Sequence, residues 1–284
     1  MKFSSIAVVL ASLSLAQGQS VIGLHGSGTT NPSKCIWHIM DQFMNSVKEP
    51  VKMTYRAIGS SGGQAEFIGD GMTSDNHFGA GDIPFDAEDF AAFPQGSVVH
   101  FPFVLGAISF FHSVPVENGA LELNSCLLAK IFNRDITDWT DPAILDVNPG
   151  LDLPSPYPIH VARRVQGSSS TASITQYLHD TCSEEWPENL VDKEIIWHSD
   201  TKGCEGSGGM TNCIRETPGT IGYIDSGHGH SEGLTEIELR NADDVYISSK
   251  ESNERDGIMA ATDNAGLPDE LTGSFADVQL LNQP

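Results

Sequence analysis

Three stretches of this chain combine glycine with serine or threonine where a strand pattern gives way to a helix pattern. They are Gly26-Ser27-Gly28-Thr29-Thr30, Gly59-Ser60-Ser61-Gly62-Gly63 and Gly167-Ser168-Ser169-Ser170-Thr171. A helix start carries unpaired backbone N–H groups and the positive end of the helix dipole, so it attracts an anion. Glycine lets the backbone come close, and each hydroxyl can donate one more hydrogen bond. One such turn is weak evidence, because serine and threonine cap helices generally. Three together, with Arg164 just before the third and Asp82 at the end of a short strand pattern, make a set able to hold a tetrahedral oxyanion. Arg164 would offer a planar fork to two of its oxygens.

Asp82 narrows the choice of anion. A carboxylate facing an anion is repulsive unless a proton lies between them. Hydrogen phosphate carries such a proton at neutral pH and sulfate does not, so an aspartate in the site would accept from phosphate and penalise sulfate. The competing reading of Asp82 is a turn residue before Pro84. Two rival functions follow from the same residues. One keeps the site and changes the ligand to sulfate, molybdate or arsenate. The other is a secreted phosphate-ester hydrolase with Ser60 or Ser168 as nucleophile. No G-x-S-x-G elbow is present, and His160 and His77 are candidate bases only because they lie nearby in the chain.

The elements that must position these groups alternate along the chain, which reads as an α/β fold. Val21–Leu24 and Val51–Tyr55 are strand patterns, the second with Val51, Met53 and Tyr55 on one face. Between them Pro32 opens a helix on which Ile36, Met40, Phe43 and Val47 recur at helical spacing. A short helix follows at Gln64–Ile68, and Phe78–Asp82 reads as a strand ending at the carboxylate. The apolar runs Val98–Val104 and Ala107–Phe111 predict buried strands. Beyond them the pattern predicts a helix at Ser125–Phe132, a turn at Asn133–Trp139, a strand at Pro158–Ala162, a helix at Ala172–Leu178 and a strand at Thr220–Ile224.

The chain's bulk properties set limits. Lys2 followed by the apolar run Ile6–Leu15 and the small residues Ala16-Gln17-Gly18 predicts a signal peptide over residues 1–18, hence a secreted protein. The apolar core of that segment is too short to span a bilayer. Its removal leaves about 265 residues, enough for one large domain or two ordinary ones. A formal net charge of −23 argues against nucleic acid or an anionic membrane as partner. It does not exclude an anionic ligand, because groups in contact outweigh surface charges screened within about 8–10 Å. Of the five cysteines, Cys204 and Cys213 could close a short glycine-rich loop, and one cysteine must be left over or pair between chains. No cysteine has CxxC spacing. His228-Gly229-His230 is the best metal-like pair but is expected on a solvated loop, so neither a metal nor a cofactor is expected.

With these residues in place, the chain resembles the phosphate-binding receptors of high-affinity bacterial phosphate ABC transporters, members of the type II periplasmic-binding-protein family. The likeness is collinear over nearly all of the chain after the signal segment. Its carriers are the three turns, Phe78-Gly79-Ala80-Gly81-Asp82, Arg163-Arg164, Ile136-Thr137-Asp138-Trp139 and Pro218-Gly219-Thr220-Ile221-Gly222-Tyr223. The resemblance implies two α/β lobes of mixed sheets with flanking helices, and a non-enzymatic monomer that closes on inorganic phosphate in the cleft between them. It further implies a membrane transporter as partner. The first lobe would comprise residues 19–103 and 246–284, and the second 104–245.

Thr30, Ser60, Asp82, Arg164, Ser168 and Ser170 fall on the family's ligand-contacting positions, with backbone donors expected at Asn31 and Ser169. Two positions depart from the family's pattern. Gln166 stands where an aspartate usually orients the arginine, although glutamine can still hydrogen-bond a guanidinium. Ser169 replaces a glycine and adds a side chain close to the ligand. Family members also continue past Leu280-Leu281-Asn282 into a Trp-Pro segment and a last first-lobe strand, where this sequence reaches Pro284.

Overall fold

A computed structural model of the chain describes residues 20–69, 76–85, 87–117, 119–254 and 257. The segment expected to be the signal peptide and the stretch from 258 to 284 lie outside the described residues. Within them, two sheets carry the architecture. The smaller contains β1 (Ile22–Gly28), β2 (Val51–Ala57) and β3 (Phe78–Ala80), all parallel in the order β2-β1-β3. The helices α1 (Ser33–Ser46), α2 (Ser60–Ile68) and α3 (Ala87–Ala92) belong to the same part of the chain. Alternation along β2 works as the sequence implies: Tyr55 is buried, Val51 and Met53 are partly covered, and Lys52, Thr54 and Arg56 face solvent. Tyr55 closes a small core with Ile36 and Met40 of α1, while Phe43 on the same helix stays 44% exposed.

The larger sheet is seven-stranded and mixed. Its strands are β4 (Ile108–His112), β5 (Leu121–Leu123), β6 (His160–Arg164), β7 (Lys202–Cys204), β8 (Thr220–Asp225), β9 (Thr235–Arg240) and β10 (Tyr246–Ile247). They run in the order β10-β9-β4-β8-β6-β7, with β5 beside β9. Around it lie α4 (Ser125–Phe132), α5 (Pro142–Val147), α6 (Ser169–Thr181), α7 (Gly206–Glu216), α8 (Ser226–Ser231) and α9 (Ser249–Glu254). The central strands β4 and β8 are covered on both faces, so burial runs along them without the in-and-out alternation of β2. Phe110, Phe111, Tyr223, Leu128, Phe132 and Ile214 are all nearly or fully buried there. Each such side chain contributes about 1.5–3 kcal/mol of burial free energy.

Local signals set the helix ends. Asn124 caps α4 by accepting from Leu127 N at 2.9 Å. Asp141, followed by Pro142, caps α5 through Ala143 N at 2.8 Å. The two segments noted for their family likeness meet each other, since the buried Trp139 donates its indole N–H to Gly219 O at 2.8 Å. Cys204 and Cys213 are paired, as are Cys126 and Cys182, and Cys35 is the free cysteine, exposed on α1.

Three expectations need correction. Residues 98–104 form no named strand, and five of the seven are exposed, with Val99 at 62% and Phe101 at 63%. Pro102 in their middle has no N–H to give a sheet ladder. His228 and His230 lie on the short helix α8, not on a loop. Asp225 caps that helix through His228 N at 2.8 Å, and Gly229 sits so close to Phe111 that a Cβ would come within 2.3 Å of the ring. Finally, the chain has not left the larger sheet at Tyr246, because β10 pairs antiparallel with β9 through Tyr246–Arg240 and Ile247–Leu239.

Candidate functional site

The first two turns are assembled around one glycine. β1 runs on through Gly28, whose φ of +150° and contact with β3 leave no room for a side chain; a Cβ there would sit 1.9 Å from Ala80 O. Gly28 O accepts both Ile58 N and Gly59 N at 2.9 Å, and Thr29 N reaches Ala80 O at 2.8 Å. Gly63 of α2 approaches so closely that its Cβ would lie 2.3 Å from Gly28 Cα. The ends of β1 and β3 and the start of α2 are thus drawn to one point. Tyr55 holds the turn from below, donating its hydroxyl to Thr29 O at 2.8 Å.

The third turn comes from the larger sheet. β6 ends at Arg164, and Ser168 caps α6 by accepting from Ser170 N at 3.2 Å. Tyr223, fully buried on the neighbouring β8, ties the two ends together. Its hydroxyl accepts from Arg164 N at 3.2 Å and lies 2.7 Å from Thr171 Oγ1.

These pieces converge. Asp82 Oδ2 accepts from Thr29 Oγ1 at 2.5 Å, from Asn31 Nδ2 at 2.9 Å and from Ser169 Oγ in a short hydrogen bond. Ser60 Oγ donates to Ser169 Oγ at 3.3 Å, and Asn31 Nδ2 reaches Ser170 Oγ at 3.3 Å. Thr30 Oγ1 lies 2.9 Å from Ser207 Oγ on α7. Thr30, Ser60, Ser168, Ser169 and Ser170 are buried hydroxyls, and Arg164 is 6% exposed; Asn31 is half-buried and Asp82 reaches the group from its solvent side. The structure brings the sequence-predicted residues Thr30, Asn31, Ser60, Asp82, Ser169 and Ser170 into one hydrogen-bonded group. Ser168 stands beside it as the cap of α6. Asn31 N, expected to be a free backbone donor, is directed at Thr29 Oγ1 at 3.3 Å.

Sequence reasoning missed Thr29, Ser207 and Tyr223. Ser207 carries a signal in the sequence: Gly206-Ser207-Gly208-Gly209 is a fourth glycine-serine helix start, inside the loop that Cys204 and Cys213 close. Tyr223 had no polar signature, because it sits in the middle of an apolar strand. Gln166 does not orient Arg164. It is exposed at an opening of about 370 Å³ lined by Ile58, Ser61, Gly62, Gly167 and Glu194.

Charge in the site is concentrated on a few groups. Burial pulls the Arg164 guanidinium below its ordinary range, opposed by Tyr223, Asp82 and Glu205. Its Nε is buried without a hydrogen-bond partner among the described residues. Burial, with Asp82 adding repulsion, pushes the Asp225 carboxyl up to about 6 even though it accepts from His228 N. Among the described residues no group of three or more His, Cys, Asp or Glu side chains is placed to hold a metal ion.

A family model described as a PBP superfamily domain matches residues 14–273. The phosphate-binding protein PstS of Haemophilus influenzae is 32% identical over 266 residues, covering 93% of this chain and 74% of that protein. The chain belongs to the PstS family of phosphate-binding proteins. It spans a smaller part of some relatives: the PstS of Xylella fastidiosa is 30% identical over 75% of this chain but only 56% of its own length. Among solved structures, a putative phosphate ABC transporter substrate-binding protein with bound phosphate from Clostridium perfringens superposes with a TM-score of 0.59. It is 18% identical and covers 83% of this chain and 82% of its own. The two sheets with their helices are therefore the two lobes of a type II periplasmic-binding-protein fold, with the hydroxyl group at their junction.

Proposed function

We propose that this chain captures inorganic phosphate at the junction of its two lobes and delivers it to a membrane transporter. The observation that carries the reading is the buried guanidinium of Arg164, whose Nε has no partner among the described residues and whose Nη2 reaches the second turn, 3.6 Å from where a Cβ on Gly59 would stand. A buried cation calls for an anion, and the surrounding donors are uncharged. The PstS relatives are phosphate-binding proteins by name, which agrees with this chemistry.

Phosphate is held by Thr30, Ser60, Ser168, Ser170 and Arg164, with backbone N–H groups at Asn31 and Ser169 turning toward it. Asp82 accepts a hydrogen bond from the ligand's P–OH. The first lobe comprises residues 19–103 with a part of the chain after β10, and the second runs from 104 through β10. Residues 1–18 direct export, and no helix among the described residues is long and apolar enough to cross a membrane. The site binds without turnover: Ser60 Oγ has Ser169 Oγ and Asp82 N as its partners, and neither Ser60 nor Ser168 is hydrogen-bonded to an imidazole among the described residues.

Calorimetric titration tests the reading. Phosphate gives a saturable heat and sulfate none; absence of heat with phosphate sinks it. The Asp82→Asn variant replaces the proton acceptor by a group that can also donate. It should bind sulfate measurably and lose at least about tenfold in phosphate affinity. If sulfate stays excluded in that variant, Asp82 is not the discriminating group.

A further inference from the structure

Ser169 is the first residue of α6, on the second lobe, yet every side-chain partner of its hydroxyl lies on the first. It donates to Asp82 Oδ2 and accepts from Ser60 Oγ at 3.3 Å and from Asn31 Nδ2 at 3.5 Å. One donated and two accepted bonds exhaust what a hydroxyl can make. They are also the bonds that a P–OH group would make there, donating its proton to Asp82 and accepting from the surrounding serine and asparagine. Ser169 is 3% exposed, so its hydrogen bonds are formed out of water.

We infer that the Ser169 hydroxyl is an internal substitute for the protonated oxygen of the ligand, bridging the lobes through Asp82 and competing with hydrogen phosphate for that carboxylate. The inference rests on the phosphate reading above for the identity of the competitor. Binding then exchanges one hydrogen bond for another: the Ser169 O–H turns away from Asp82 Oδ2 and the phosphate O–H takes its place, with no proton leaving either oxygen. The bridge holds the lobes together before phosphate arrives and lowers the net gain when it does. Ser169 thus sets affinity without being required for binding.

The test uses Ser169→Ala and Ser169→Gly in the full chain. Ser168, not Ser169, caps α6, so the helix start survives either change, and a melting curve for each variant verifies this. Phosphate affinity by calorimetry should rise about tenfold in both variants, the worth of one net hydrogen bond. Small-angle scattering without phosphate should show a larger radius of gyration for the variants than for the wild type. Unchanged or weakened phosphate affinity in both variants overturns the inference. If the wild type gives no heat with phosphate, the phosphate reading fails by itself, and scattering still decides the bridge: an unchanged radius of gyration refutes it.

Discussion

Replacing Arg164 by methionine should change stability in opposite directions with and without phosphate. Arg164 is 6% exposed, and among the described residues its Nε has no hydrogen-bond partner and no carboxylate forms an ion pair with it. Burial already works against its charge. A buried charge without a counter-ion is costly, and exchange of buried ionic groups for apolar ones of similar volume is commonly neutral or stabilising by about 1–4 kcal/mol. Phosphate-free Arg164→Met should therefore melt roughly 2–16 °C above the wild type, at about 2–4 °C per kcal/mol for a chain of this size. Phosphate at a thousand times its dissociation constant adds about 4 kcal/mol to the wild type through mass action. The variant should gain almost none of this if Arg164 grips the ligand as proposed, because the fork to two oxygens is gone. The assay is a pair of thermal scans on exhaustively dialysed protein, with and without phosphate. The reasoning is refuted if the variant melts below the wild type in phosphate-free buffer, or if phosphate raises both melting points equally.

Two buried titrating groups pull in opposite directions with pH. Burial holds Asp225 up at about 6, so its contribution to stability falls as pH rises from about 4 to 6; it holds His112 down at about 4, so its contribution is lost as pH falls from about 6.5 to 4. Asp225→Asn, which can still cap α8, should expose the His112 slope as a loss of about 3 kcal/mol between pH 6.5 and 4 in urea unfolding, and a flat profile would count against it. Removing the Cys126–Cys182 disulfide, which spans 56 residues, should cost about 4 kcal/mol against about 2.5 for Cys204–Cys213, which spans 9. Equal losses in denaturant titrations would show that loop closure does not govern them. Stopped-flow association with phosphate should speed up several-fold between 10 and 150 mM salt, and a rate that falls with salt would mean that the approach to the site is not governed by the acidic surface.

The parts of this protein that could be read from its sequence are those whose physics is local. Ser125–Phe132 is a helix to the residue expected, because its cap, Asn124, and its apolar spacing are adjacent in the chain. The three anion-attracting turns were visible for the same reason. Tyr223 was not: its value lies in Arg164 N and Thr171 Oγ1, 59 and 52 residues away. Residues 98–104 misled because a run rich in Val and Phe reads as a buried strand whether or not a neighbouring strand exists to pair with it. The extension of β1 through Gly28 was hidden by glycine's usual role as a breaker; here it serves close approach to Ala80 instead.

An acidic protein that holds an anion is consistent once the two charge scales are separated. A charge of −23 spread over a sphere of about 24 Å radius repels a monovalent anion at its surface by roughly 1 kcal/mol at 0.15 M salt and about 2 kcal/mol at 0.01 M. A single charge-assisted hydrogen bond contributes about 1.5–3 kcal/mol, and the guanidinium with the buried hydroxyls around it offers several. The surface therefore slows encounter and the site decides occupancy. Because the donors other than Arg164 are neutral, a second anion of equal charge would be attracted just as well by the hydroxyls alone. On the binding mode proposed above, selection then comes from the one group that repels, Asp82. Its exposure would set that repulsion at the water-facing edge of the cluster, where it also accepts from Asn31 Nδ2.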